Sequence, residues 1–199
     1  MIDLSAVGAG LADPVFDSQR VFRGGLDALS QPGQLVEVGG TGEEGVPGLH
    51  AASGALLLAL LDQDTRLWLS PSLANGQAGS SLRFHTGCTL VASPQAADFA
   101  LVCAPEELPV LEAFPSGTDE HPERSATLVL QVPALSSADG WRLTGPGIRE
   151  QAQIRVKGLG ASFIAQWESN RQRFPRGIDL FLTSGDQLCG LPRTTRIEG

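Results

Sequence analysis

The chain has 199 residues, 42% hydrophobic and 18% charged, and a formal net charge of −8. That length suits one domain over residues 1–199 with a real core, and the acidic balance argues against a nucleic-acid partner, whose phosphates need a cationic surface. The longest apolar run, 55–61, is far too short for a bilayer, and Asp3 is the only early charge, so neither membrane span nor signal peptide is expected and the cytoplasm is the expected compartment.

Asp13 and Pro14 open a helix over 15–29, Asp13 as cap and Pro14 in the first turn. Phe22, Leu26 and Leu29 fall on one face of it. Pro32 and Gly33 end it. Gly24 and Gly25 sit inside it at about 1 kcal/mol each relative to alanine, which points to close approach by another backbone or to a local kink. Residues 35–38 read as a short strand, 39–48 as a mobile surface loop, 50–61 as a buried helix and 66–69 as a strand. A short helix and turn are expected over 71–79. The runs 99–103 and 127–132 show little alternation, as in central strands covered on both faces, with a helix over 105–113 between them. A strand at 141–144, a helix over 163–171 and two closing strands, 178–182 and 187–197, complete the chain. Strands separated by helices imply an α/β protein built as a three-layer α/β/α sandwich, and the terminal strand pair makes its sheet mixed.

The C-terminal stretch 174–196 resembles the C-terminal signature of one family, the H subunit of the bacterial carbon–phosphorus lyase core complex. The resemblance extends in order through 22–33 (Phe-Arg-Gly-Gly-Leu-Asp-Ala-Leu-Ser-Gln-Pro-Gly), 57–70, 81–86 (Ser-Leu-Arg-Phe-His-Thr), Gly117, 126–132 (Ala-Thr-Leu-Val-Leu-Gln-Val) and 143–148 (Leu-Thr-Gly-Pro-Gly-Ile), covering nearly the whole chain. It implies a fold like the large domain of pyridoxal-phosphate-dependent transferases, without the cofactor. It also implies membership of a complex that, with ATP, turns an alkylphosphonate into a ribose 1-alkylphosphonate 5-triphosphate and releases adenine. In that family the nucleosidase and iron–sulfur chemistry belong to partner subunits.

The residues themselves supply no self-sufficient active site. Lys157 is the only lysine and reads as a surface residue rather than an aldimine lysine. The glycine-rich stretch 39–48 lacks the lysine and hydroxyl of a phosphate loop, and its Glu43 and Glu44 would repel phosphate. Cys88, Cys103 and Cys189 are odd in number and widely spaced, which suits reduced thiols. His85 and Cys88 offer two metal donors where a site needs three or four, while His50 and His121 are isolated. Ser184 lacks the nucleophile-elbow glycines, and Asp186 serves the turn at 183–186.

Four positions remain as anion-binding or structural polar candidates: Arg83, His85, Asp179 and Arg193. Asp179 interrupts an apolar strand and calls for a partner, with Arg193 on the neighbouring strand the natural one. His85 beside Arg83 could contact an anion. Strand alternation would split Arg193 and Thr195 from Thr194 and Arg196, which suits a charged edge strand better than an anion site. The reading is therefore a supporting subunit without cofactor, partnered by the other core-complex subunits and forming a homodimer when isolated. A stand-alone small-molecule enzyme or binder using Asp179, Arg193 and His85 is the alternative, and a ligand-free structural module a third. The first helix with its glycine pair and the terminal strand edge are the candidate partner faces.

Overall fold

The computed structural model describes residues 8, 10–39 and 45–199. In chain order its elements are helix α1 (Pro14–Ser30), strand β1 (Val36–Glu37), α2 (Ala51–Leu60), β2 (Arg66–Leu69), the single turn α3 (Pro71–Ala74), α4 (Gln77–Thr86), β3 (Thr89–Val91), β4 (Phe99–Val102) and β5 (Thr127–Gln131). There follow β6 (Leu135–Thr144), β7 (Ala152–Val156), α5 (Ala161–Arg171), β8 (Asp179–Ser184), β9 (Gln187–Leu191) and β10 (Arg196–Glu198). No helix among the described residues is long and apolar enough to cross a membrane.

The main sheet has seven strands in the order β1-β9-β8-β5-β4-β2-β3. Strands β8, β5, β4, β2 and β3 are mutually parallel, while β9 runs antiparallel to both β8 and β1. Central β4 and β5 are almost wholly apolar because both of their faces are covered. Leu67, Leu101, Val129, Phe181 and Leu188 pack on one face against α1, α2 and α4. Ala100, Leu128, Leu130, Leu180 and Leu182 pack on the other face.

On that second face the expected helical layer is replaced. A three-stranded antiparallel sheet, β10-β6-β7, supplies Trp141, Leu143, Ile154 and Ile197, and α5 adds Phe163 and Trp167. The fold is thus mixed α/β with a second small sheet rather than a plain helix–sheet–helix stack. Trp141 and Phe163 stack at 5.5 Å, and the Trp167 indole N–H donates to the Thr195 carbonyl at 2.8 Å.

Several local readings change. The segment 105–113 forms two separate 3-10 turns, Pro105–Glu107 and Leu111–Ala113. Pro109 divides them, since a proline removes a backbone donor and its predecessor, here Leu108 at ψ 114°, is pushed into the extended region. Strand 187–197 breaks at Pro192: β9 ends at Leu191, a turn closes with Thr195 N–H on the Pro192 carbonyl (2.8 Å), and β10 joins the small sheet. Arg193 and Thr195 therefore lie in a turn, and strand alternation does not apply to them. Helix α4 and strands β3 and β7 had no counterpart among the expected elements. Half of the expected loop over 39–48, residues 40–44, lies outside the described residues, as do the first residues on which the signal-peptide reading falls; the described part of the loop carries no helix or strand.

Helix α1 forms where expected but faces the other way. Asp13 accepts from the N–H groups of Val15 and Phe16 at 3.1 Å, and Asp17 returns the contact by accepting from Asp13 N–H at 2.8 Å. Its packed face is Val21, Gly24, Gly25 and Ala28. The small residues admit close neighbours: a Cβ on Gly24 would lie 2.6 Å from a Val38 methyl, and one on Gly190 of β9 would lie 2.6 Å from the Ala28 carbonyl. Phe22 and Leu26 consequently point to solvent, 46% and 52% exposed.

Candidate functional site

In an open α/β sheet, ligands generally bind beyond the carboxyl ends of the parallel strands. Here that end carries a linked polar group. His50, at the start of α2, presents its backbone N–H to the Gln131 side-chain oxygen at 2.6 Å and holds its Nδ1 3.1 Å from the Thr183 carbonyl. Because a carbonyl only accepts, that Nδ1 carries the proton. Ser53 and Thr183 share a hydroxyl contact at 2.6 Å, and Cys103 N–H donates to the Ser70 hydroxyl at 3.1 Å. Ser70, Gln131 and Thr183 lie at or just past the ends of β2, β5 and β8, and all are buried. These groups satisfy one another and fasten α2 to the strand ends. Nearby, Glu107 accepts from the Ser72 hydroxyl at 2.9 Å, and serine hydroxyls (Ser70 first, then Ser72) hold its carboxyl below the usual range.

The opposite end of the sheet brings Asp179 and Arg193 together. Asp179 opens β8, and Arg193 follows β9 in the turn after Pro192. Their carboxylate and guanidinium meet at 2.6 Å, with side chains 23% and 13% exposed. The other Asp179 oxygen takes Arg193 Nε–H at 3.2 Å and its backbone N–H at 2.7 Å. Arg193 Nη1 donates to the carbonyls of Pro122 and Pro175 at 3.0 and 3.1 Å, and Nη2 also donates to the Ser125 hydroxyl at 2.5 Å. A guanidinium has five N–H donors. All five are engaged, so this arginine ties three chain segments together, 122–125, 175–179 and its own, and has no donor left for a phosphate or carboxylate ligand.

The remaining candidates are dispersed. His85, near the end of α4, donates from Nε2 to the Gly8 carbonyl at 2.9 Å, and Arg83, two residues earlier, is exposed. Neither approaches Asp179, since β3, which follows α4, lies four strands from β8. Cys88 and Cys189 are buried, and burial pushes the Cys189 thiol up to about 12, far from a reactive thiolate. No cluster of three potential metal donors occurs among the described residues. Lys157 is exposed just past β7, and His121 pairs with Glu123 at 3.1 Å on the surface. Arg196 begins β10, an edge strand of the small sheet.

A different feature stands out at the Asp179 end. The outer face of α1 carries Val15, Phe16, Phe22 and Leu26, with exposures of 73, 72, 46 and 52%. Beside it an apolar groove of about 170 Å³ runs between α1, the end of α2 and the starts of β4, β5 and β8. Phe22, Leu26, Leu29, Leu60, Phe99 and Phe181 line it, with Asp179 at one end. A second groove, past Pro122, Glu123 and the exposed Phe174, meets the first at Asp179. The sequence held the signal for this surface. Gly24, Gly25 and Ala28 mark the side of α1 where packing is tightest, so the large residues at 15, 22 and 26 belong to the other side, with half-buried Leu29 at its margin.

Similar chains occur among known proteins. The family described as "Bacterial phosphonate metabolism protein (PhnH)" matches residues 9–198. A protein of Rhizobium meliloti (strain 1021), named alpha-D-ribose 1-methylphosphonate 5-triphosphate synthase subunit PhnH, is 41% identical over 187 residues, covering 94% of this chain and 93% of that one. A putative C-P lyase subunit protein HtxG of Stutzerimonas stutzeri is 35% identical over 182 residues, covering 90% and 85% respectively.

Proposed function

The chain belongs to the PhnH family of bacterial phosphonate metabolism proteins, and from that membership we propose that it is a subunit of the carbon–phosphorus lyase core complex. There it supports the ATP-dependent conversion of an alkylphosphonate to a ribose 1-alkylphosphonate 5-triphosphate with release of adenine. The observation that carries this is the 41% identity, over 94% of the chain, to a protein named as a subunit of ribose 1-methylphosphonate 5-triphosphate synthase. Its role is to hold the assembly in shape, with the bond-making and bond-breaking groups on partner subunits. Supporting that role, two of the four candidate residues are committed to the fold, Arg193 to five hydrogen bonds and Asp179 to Arg193, and at the other end of the sheet His50 is committed to Gln131 and Thr183. A stand-alone active site built on Asp179, Arg193 and His85 is not favoured, because the first two are spent on each other and the third lies several strands away.

The same reading takes the main sheet, six codirectional strands with β9 opposed, as kin to the large domain of pyridoxal-phosphate-dependent transferases. Residues 1–199 then form one folding unit, and both cores share the strands of that sheet. A single cooperative melting transition is the expected result for one unit. The isolated chain forms a homodimer, which light scattering tests, and the cytoplasm is its compartment. The functional proposal is tested by growth: a strain lacking this gene should fail on methylphosphonate as sole phosphorus source and recover when the chain is supplied. Undiminished growth without it would overturn the proposal.

A further inference from the structure

We propose that the outer face of α1 and the apolar groove beside it dock another subunit of the complex, through one large apolar side chain of that subunit flanked by basic residues. This rests on the subunit reading above and adds the surface and the chemistry of the partner. A stable monomeric surface rarely gathers four large apolar side chains on one helix face next to an apolar cleft. The groove, about 170 Å³, is smaller than the usual small-molecule site and suits a single anchoring side chain. It is also preformed. Helix α1 is capped at Asp13, fixed by the Val38–Gly24 and Ala28–Gly190 approaches, and cannot turn its apolar face inward without backbone overlap.

The charges around the groove select the occupant. Two arginines next to it, Arg193 and Arg66, are already bound to Asp179 and Asp98. The exposed carboxylates around it, Asp27 on α1, Asp62 and Asp64 in the turn leaving α2, and Glu123 (paired with His121) on the adjoining groove, outnumber the exposed cations Arg23 on α1 and Arg124 beside Glu123. A basic-flanked partner complements them. A second copy of this chain, itself at −8, would set the same carboxylates against one another in a two-fold contact, so the homodimer uses a different face. An anionic lipid surface would be repelled in the same way.

The test is recovery of the partner subunits on the tagged chain when all are co-expressed, with variants chosen for an exposed surface so that melting temperatures stay at the wild-type value. Phe22→Ala and Leu26→Ala should each weaken association at least tenfold, while Leu26→Met retains it. Asp62→Lys with Asp64→Lys should weaken it and flatten its dependence on salt. Unchanged recovery across all of these would overturn the inference. So would intact recovery with a changed oligomeric state of the isolated chain by light scattering, because that assigns the face to a second copy. If the wild-type chain itself recovers no partner, the subunit reading fails instead, an outcome plainly distinct from the other two.

Discussion

Arg193 shows how a residue that looks like an anion receptor in sequence becomes a fastener in the fold. Its donors reach Asp179, Pro122, Pro175 and Ser125, in segments separated by up to 71 positions. A lysine keeps the charge but has three donors on one nitrogen and cannot span that geometry. Arg193→Lys should therefore cost about 2 kcal/mol, which in a chain of this length lowers the melting temperature by about 4–8 °C, measured by calorimetry. Glu168 gives a second, milder prediction. Arg171, with Gln172 and Arg196 assisting, holds its carboxyl down from 4.5 to about 2. Because the folded value is depressed, the stabilisation is present above pH 4.5 and disappears as pH falls toward 2. The pair is only partly buried and screened by solvent, so its contribution is small. Glu168→Gln should flatten the acid limb of the stability profile in that window and lower stability at neutral pH by the same small amount, with no difference left near pH 2.

At the scale of elements, what the sequence disclosed depended on which force fixed each one. Capping is local, and Asp13, Pro14 and the spacing after them marked α1 correctly. Facing is not local. Phe22, Leu26 and Leu29 look like a core stripe until Gly190 and Val38 are known to press on the opposite side. The β8–β9 hairpin was equally legible, since Gly185 at φ 61° opens a two-residue turn that glycine favours. Helix α4 was not: its Gly79 lies where a Cβ would come 2.7 Å from Leu69, so tertiary contact, not helix propensity, selects the residue. The register of β9 against α1 can be probed directly. Gly190→Ala places a methyl 2.6 Å from the Ala28 backbone, inside a strand paired on both edges. It should cost about 3 kcal/mol by chemical denaturation, and a neutral effect would contradict the close approach of helix and strand.

For the molecule as a whole, the two-sided apolar runs at 99–103 and 127–132 disclosed a covered sheet, and the terminal hairpin disclosed that it is mixed. The small sheet on the second face stayed hidden because its strands alternate over short stretches such as 152–156, where only Ile154 and Val156 are buried. The candidate site followed the same division. The Asp179–Arg193 contact could be argued from one misplaced carboxylate, whereas the outward face of α1 needed the packing of the other face. What unites these observations is a chain whose polar groups hold its own fold together and whose apolar surplus faces outward. The most direct test is to co-express the tagged chain with the other core-complex subunits and measure the purified mass by light scattering. A stable hetero-oligomer of defined stoichiometry is the predicted result; a chain recovered alone with every partner present would contradict it.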